Sequence, residues 1–292
     1  MQDALIKLSD GRTLAYTDIG ERDWPCLMFF HGAPSSRLRL AYLEPQFLAS
    51  GVRAVSVDRP GYGRSAPHPG RSLTSWPADV SALADALGID SFLVAGHSSG
   101  GPYALASAAL LPSRVSSAIT LGGVTDMGWR EAWTGFPEME RRLMSLPDEA
   151  AIYASCVQLF GEDGSRFLAS SDFEFPEPDA QLYADARVAP FLTVSRVEAF
   201  RQGVRGYAQD VALQSRAWSF DPRAINAPVH VLHGALDTII PLAHSRHTSE
   251  CIPGSTLRVV PDHGHFTILE ELPVLVSSIA GRRAVRRQPG GG

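Results

Sequence analysis

The sequence predicts an α/β protein with a mostly parallel central sheet, helices on both faces of the sheet, and a helical insertion. Apolar, β-prone runs alternate with helix-like segments up to about residue 124, and this alternation returns after about residue 215. Residues 125–215 instead contain Pro-interrupted, aromatic-rich segments without a convincing strand and helix unit. We expect a core of residues 1–124 and 216–281, a helical cap at 125–215, and a flexible tail at 282–292.

The individual elements follow from local patterns. Cys26–Phe30 is a continuous apolar run, which is typical of a strand covered on both faces. Residues 74–87 predict a helix, because apolar residues recur at three-to-four spacing and Gly88 ends the pattern. A further helix is expected to end at Leu110, and the last helix to begin near Phe266. The other predicted strands are 4–8, 13–19, 54–57, 92–95, 118–121, 229–233 and 257–260.

Composition excludes several classes of function. The formal charge of −5 argues against a nucleic-acid surface, although arginine supplies nearly all the positive charge and Lys7 is the only lysine. Cys26, Cys156 and Cys251 show no metal-ligand spacing and form no even set for disulfides, which favours reduced thiols in the cytoplasm. A signal peptide and a membrane span are not expected, because no apolar run approaches the ~18 residues that a span needs.

A candidate nucleophile lies where the strand near Phe92 meets the next helix. Gly96-His97-Ser98-Ser99-Gly100 has the Gly-x-Ser-x-Gly pattern of a strained turn that projects a serine hydroxyl above the sheet. The pattern alone is weak, since an ordinary Gly-rich loop can contain it by chance. The strand before it and the helix after it strengthen the interpretation.

Two more loops follow predicted parallel strands and carry the groups that would activate this serine. A serine becomes nucleophilic when an imidazole removes its proton, and a carboxylate must hold that imidazole in one tautomer. The loop after strand 229–233 contains Asp237, and the loop after strand 257–260 contains His263 and His265. Asp126, which follows an earlier strand, is an alternative carboxylate. The residues themselves leave both choices open.

The chain resembles α/β-hydrolase fold proteins with a helical cap, from Leu5 to about Ile279. The motifs that carry the resemblance are His31-Gly32-x-Pro34, Asp58-x-Pro60-Gly61-x-Gly63-x-Ser65, Gly96-x-Ser98-x-Gly100, Gly234-x-x-Asp237 and Gly264-His265-Phe266. The resemblance implies a catalytic triad of Ser98, Asp237 and His265, and an oxyanion hole formed by the backbone N–H groups of Ala33 and Ser99. His263 and Asp126 then become loop residues.

The resemblance further implies a serine hydrolase that needs no metal or organic cofactor. The expected substrate is a small, moderately apolar carboxylic ester, thioester or lactone, hydrolysed through an acyl-enzyme on Ser98. Alternatives that would use the same triad are a C–C bond hydrolase, a prolyl-aminopeptidase-like hydrolase and a receptor-like protein that binds a ligand without turnover. Serine at this position argues against epoxide opening and halide displacement. Oligomeric state is left open.

The substrate pocket is the least defined part of the prediction. His31 and His97 flank the site and are candidate substrate-binding residues, although a structural role is favoured for each over a catalytic one. Trp129, Trp133 and Phe136 are candidate pocket residues because they open the aromatic-rich segment. Residues 125–215 carry 15 acidic residues against 8 arginines. Such charge usually serves solvation, but it could also disfavour anionic substrates or favour a cationic group.

Overall fold

An eight-stranded sheet lies at the centre of the computed structural model, which describes residues 1–169 and 174–287, with side chains up to Gly281. The strand order is β1-β2-β4-β3-β5-β6-β7-β8. β2 runs antiparallel to both of its neighbours, and the pairs from β4 to β8 are parallel. The strands are β1 (Gln2–Lys7), β2 (Thr13–Ile19), β3 (Cys26–Phe30), β4 (Arg53–Val57), β5 (Phe92–His97), β6 (Val115–Leu121), β7 (Val229–Gly234) and β8 (Thr256–Val260). The predicted fold class is confirmed.

Helices connect the strands and cover both faces of the sheet. The α-helices are α1 (Glu44–Ser50), α2 (Trp76–Ala86), α3 (Gly101–Leu110), α4 (Glu138–Met144), α5 (Glu149–Phe160), α6 (Ser165–Ala169), α7 (Glu177–Ala184), α8 (Ala189–Ala199), α9 (Arg205–Gln214), α10 (Leu242–Cys251) and α11 (Leu272–Arg287). Short 3₁₀ segments lie at Arg37–Leu43, Ser98–Gly100, Arg130–Trp133, Pro222–Ala224 and Thr267–Glu271. In the described part of the chain, no helix is long and apolar enough to cross a membrane.

The central strand β3 shows why a continuous apolar run forms a doubly covered strand. Successive side chains of a strand point to opposite faces, so Met28 and Phe30 enter the layer that contains α2 and α3. Leu27 and Phe29 enter the opposite layer, with α1 and α11. All four side chains are fully buried, and burial of each contributes roughly 1.5–3 kcal/mol.

The parallel register brings four loops to one edge of the sheet. β5 pairs with β6, β6 with β7, and β7 with β8, up to the pair Gly234 and Val260. The carboxyl ends of these strands therefore lie side by side, and the loops that leave them meet there. Helices α4 to α9 lie between β6 and β7 in the sequence.

Two element ends differ from the prediction. β6 begins at Val115, three residues earlier than expected, because Ser116 and Ser117 interrupt the apolar pattern. The strand nevertheless pairs with β5 from Val115 onwards, with a register shift between Phe92 and Leu93. Helix α11 runs to Arg287, whereas a flexible tail was expected from residue 282. Residues 282–287 contain neither Gly nor Pro, so nothing in the sequence stops the helix there. Positions 288–292 of the predicted tail lie outside the described residues.

Candidate active site

Ser98 occupies a sharp turn between β5 and α3. Its backbone has a φ of 53°, in the left-handed region that a residue with a side chain rarely adopts. A Cβ on Gly96 would overlap the carbonyl group of Gly100, and a Cβ on Gly100 would overlap the carbonyl oxygen of Phe30 in β3. The turn is therefore closed against the sheet by two glycines, and the surrounding packing holds the strained conformation of Ser98.

Asp237 and His265 form a buried hydrogen-bonded pair. The distance from His265 Nδ1 to Asp237 Oδ2 is 2.7 Å, and the Asp237 side chain is fully buried. Oδ1 of Asp237 accepts the backbone N–H groups of Ile239 and Ile240 at 2.8 and 2.9 Å. Burial alone would raise the pKa of Asp237, but His265 and these donors outweigh it and lower the pKa. The carboxylate thus keeps its charge and directs the Nδ1–H of His265 towards itself, which leaves Nε2 available as a base.

One cavity is lined by both Ser98 and His265. Gly122, at the end of β6 with a φ of 52°, packs beneath the histidine and the carboxylate: a Cβ there would lie 3.2 Å from His265 Nδ1 and 2.9 Å from Asp237 Oδ2. The ends of β5, β6, β7 and β8 thus all contribute to this arrangement. The structure brings together the three residues that were predicted as a triad.

The two alternative residues have other partners. Oδ1 of Asp126 accepts the backbone N–H groups of Gly128 and Trp218 at 2.9 and 3.0 Å, which fixes a turn. The Nε2 atom of His263 lies 3.7 Å from Glu271. Neither Asp126 nor His263 is among the residues that line the cavity in the described part of the chain. Their geometry is that of loop residues.

The predicted oxyanion-hole residues, Ala33 and Ser99, also line the cavity. Gly32 brings the two loops together, because a Cβ at this position would lie 3.2 Å from Ser98 Cβ and 3.1 Å from His97 Nδ1. The loop after β3 thus packs directly against the turn that carries Ser98.

Only two of the five candidate substrate-binding residues line the cavity, namely His97 and Phe136. His97 Nε2 donates to the backbone carbonyl of His265 at 2.7 Å, so it also positions the loop that carries the histidine. His31 is fully buried, and its ring bonds to the carbonyl of Gly32 and the N–H of Arg59.

The other two candidates, Trp129 and Trp133, do not line the cavity in the described part of the chain. Trp129 stacks on His247 of α10, with ring centroids 4.2 Å apart. Both tryptophans pack from outside on a small apolar cluster. We therefore assign no substrate contact to His31, Trp129 or Trp133. The place of both tryptophans in the aromatic-rich segment was not a guide to the direction of their side chains.

Sequence reasoning missed a buried carboxylate in the same cavity wall. Asp210 of α9 pairs with Arg59 and with Arg71, the latter at 2.9 Å, and accepts the hydroxyl groups of Tyr62 and Tyr103 at 2.9 and 2.7 Å. Burial alone would raise the pKa of Asp210, but the two guanidinium groups outweigh it and lower the pKa to about 2. Arg59 also donates to Ser99 Oγ at 3.1 Å, which connects this cluster to the turn at Ser98.

The remaining cavity wall combines apolar and charged side chains. The apolar residues come mainly from the segment between β6 and β7 and include Phe136, Leu143, Met144, Phe167, Val211, Ile239 and Ile240. Arg39, Arg196 and Glu140 also line the cavity. Within the described residues, no group of three or more His, Cys, Asp or Glu side chains is placed to hold a metal ion.

Known proteins are similar to this chain in both sequence and fold. The family model described as alpha/beta hydrolase fold matches residues 25–272. A non-heme chloroperoxidase of Streptomyces lividans is 28% identical over 87% of this chain and 89% of that protein. A bifunctional esterase/perhydrolase of Acinetobacter calcoaceticus is 26% identical, with 89% and 92% covered. The structure of a thermophilic esterase from Thermogutta terrifontis superposes with a TM-score of 0.71 at 21% identity, covering 98% of this chain and 99% of that one.

The closure of the turn predicts that Gly100 tolerates no side chain. Gly100→Ala places a methyl group against the backbone of β3, which cannot move aside as a side chain would. We expect a loss of at least ~3 kcal/mol in the free energy of unfolding, the upper end for overpacked sites. Gly70→Ala is the matched control, since nothing lies within 4 Å of a Cβ there. Urea denaturation gives the free energy of unfolding of both variants. Equal values would contradict the overlap between a Cβ at position 100 and the backbone of β3.

Asp210 gives a second stability prediction. Asp210→Asn keeps the shape of the side chain but removes the negative charge shared by Arg59 and Arg71, both almost fully buried. Breaking a buried pair in this way costs about 3–5 kcal/mol. The control is Asp185→Asn, in the exposed pair with Arg187, where little change is expected. Urea denaturation at pH 7 compares the two variants, and similar stabilities would show that the buried arginines are compensated elsewhere.

Proposed function

The chain belongs to the alpha/beta hydrolase fold family, and from this premise we propose that it is a serine hydrolase acting on a small, moderately apolar carboxylic ester, thioester or lactone. One observation carries the proposal: the buried Asp237–His265 pair and the strained Ser98 turn face the same cavity. Membership in the family and the esterase among the similar proteins support the hydrolase class.

The proposed reaction follows from the roles that the geometry allows. His265 Nε2 removes the proton of Ser98 Oγ as the oxygen attacks the substrate carbonyl, and the N–H groups of Ala33 and Ser99 stabilise the oxyanion. His265 then transfers that proton to the leaving group, which leaves an acyl-enzyme on Ser98. Water enters, gives a proton to His265 and attacks the acyl carbon, and the proton returns to Ser98 Oγ as the acid is released. Asp237 stabilises the imidazolium in both halves.

The segment 125–215 serves in this proposal as a cap on the core of residues 1–124 and 216–281. Its apolar side chains, such as Leu143 and Phe167, face the cavity beside Ser98, so they would contact the apolar part of a substrate. The cap is packed on its own apolar cluster, which includes Ile152, Phe160 and Tyr207. The cap would therefore determine which acyl or alcohol group fits.

We propose the cytoplasm as the location of the protein. Cys26, Cys156 and Cys251 are free thiols in the structure. Burial raises the pKa of the Cys26 and Cys156 thiols to about 12, so neither is a reactive thiolate. Unpaired, unreactive cysteines suit a reducing compartment.

Labelling with a fluorophosphonate probe tests whether Ser98 is activated. The purified protein should be labelled and should hydrolyse a series of short-chain p-nitrophenyl esters, whereas Ser98→Ala should do neither. Ser99→Ala is the control for site specificity, because it removes the neighbouring hydroxyl but keeps the backbone N–H. Labelling without turnover of any ester would favour a receptor-like protein, and absence of labelling would overturn the proposed triad.

The identity of the carboxylate can be tested by paired substitutions. Asp237→Asn should lower kcat by roughly 10⁴-fold, because the amide stabilises the wrong tautomer of His265. Asp126→Asn is isosteric in the same way and keeps an oxygen that accepts the N–H groups of Gly128 and Trp218, so its kcat should fall far less. Steady-state kinetics on one p-nitrophenyl ester compares the two variants. The reverse ranking would move the acid to the loop after β6.

A further inference from the structure

Two arginines line the cavity, and some of their donor atoms have no acceptor among the described residues. Arg39 is only 3% exposed, and its Nε and Nη2 atoms are buried without a hydrogen-bond partner. Arg196 also lines the cavity, and its Nε atom is likewise buried without a hydrogen-bond partner. Buried polar groups are nearly always hydrogen-bonded, and an unpaired buried charge is costly. Since both residues line the cavity, a ligand held there would supply the missing acceptors.

The two arginines lie close to the proposed catalytic histidine. Arg39 belongs to the 3₁₀ segment Arg37–Leu43, and Arg196 belongs to α8, which packs on that segment. The Arg39 guanidinium lies 5.0 Å from the ring centroid of Phe266, the residue that follows His265. The Arg196 guanidinium lies 5.8 Å from the ring of Tyr183, whose ring is 5.2 Å from that of Phe266. Both cations therefore border one aromatic group next to His265.

The nearby carboxylates are engaged with other residues. Asp179 accepts the backbone N–H groups of Phe266 and Thr267, at 2.9–3.2 Å. Glu198, two positions after Arg196, pairs with Arg37 and Arg201. Among the described residues, no carboxylate oxygen lies within 4.0 Å of either Arg39 or Arg196, the limit for a salt bridge. The positive charges of the two guanidinium groups are thus left for a ligand.

The other charged groups in the cavity do not cancel this pair. The charge of Asp210 is balanced by Arg59 and Arg71. Glu140 lies on α4, which packs against α5 and α9, whereas the arginines lie on α8 and the 3₁₀ segment. Burial raises the pKa of Glu140. The cavity therefore has a cationic side beside Phe266.

We propose that Arg39 and Arg196 bind a carboxylate on the substrate, so that the preferred substrate is an ester or lactone that carries a free carboxylate away from the scissile bond. This inference rests on the proposed serine hydrolase function. A planar guanidinium matches the geometry of a carboxylate and forms paired, charge-assisted hydrogen bonds with it. The proposal is opposite to the less favoured interpretation of the acidic composition of residues 125–215, under which anionic substrates would be disfavoured.

A matched pair of esters tests the preference. Monomethyl glutarate and methyl pentanoate have acyl chains of equal length and differ in having a terminal carboxylate or a methyl group. We expect the wild-type kcat/KM for monomethyl glutarate to exceed that for methyl pentanoate by about tenfold or more. Arg39→Met and Arg196→Met should each lower this ratio by about tenfold, with little change for methyl pentanoate, because the apolar stem of the side chain is kept.

Control variants separate a specific effect from a general change in charge or folding. Arg142→Met removes an exposed arginine of α4 and should leave the ratio unchanged. Arg39→Lys keeps the charge without the paired donors and should lie between wild type and Arg39→Met. The inference is overturned if wild type shows no preference for the half-ester, or if the preference survives both methionine substitutions.

Binding without turnover keeps this test apart from the test of the hydrolase. In the Ser98→Ala background, isothermal titration calorimetry should detect monomethyl glutarate more tightly bound than methyl pentanoate, and Arg39→Met should abolish the difference. Binding that depends on Arg39, with no hydrolysis of either ester by wild type, would retain the carboxylate site and reject the hydrolase. Hydrolysis of both esters with equal binding would reject the carboxylate site alone.

Discussion

The left-handed backbone of Ser98 is the constraint on which the rest of the site depends. It can exist only because Gly96 and Gly100 allow α3 to approach β3 and β5 at backbone distance. The same closeness brings the loop at Gly32 against Ser98 Cβ, and the end of β6 beneath His265. A buried serine would otherwise point along the sheet. Here the strain is balanced by packing throughout the central strands, so the stability of the core and the exposure of the hydroxyl group are linked.

The segment between β6 and β7 is bound to the core through buried carboxylates as well as apolar contacts. Asp179 of α7 accepts N–H groups from Phe266 and Thr267, and so fixes the end of the loop that carries His265. Asp210 of α9 pairs with Arg59 and Arg71, and Arg59 also donates to Ser99 Oγ. Each carboxylate connects the segment to one half of the reaction site. Movement of the segment would therefore disturb the histidine side and the serine side together.

The sequence predicted those parts of the molecule that local patterns determine. Cys26–Phe30 and Thr13–Ile19 have the predicted bounds. A strand that is buried on both faces, or that pairs in a hairpin, leaves a recognisable pattern within a short stretch of sequence. Ser98, Asp237 and His265 follow strands whose parallel order fixes where their loops meet. Side chains in the pocket depend on long-range packing instead. The place of Trp129 and Trp133 in the aromatic-rich segment therefore did not predict their position, and no local sequence pattern indicated Asp210 or Arg39.

The charge inside the cavity likewise depends on where individual side chains lie and not on the net charge of residues 125–215. Residues 125–215 carry 15 acidic residues and 8 arginines, yet Asp179 and Asp210 are used to bind the core, while Arg196 faces the cavity. Exposed charges are screened over roughly 8 Å at physiological salt, so most of the acidic residues contribute little to the potential inside the cavity. Buried, unpaired groups dominate there, because little water lies between them and a ligand. A net anionic segment can therefore contribute a guanidinium group to a cationic side of the cavity, and the location of a few guanidinium groups matters more than the charge of the whole segment.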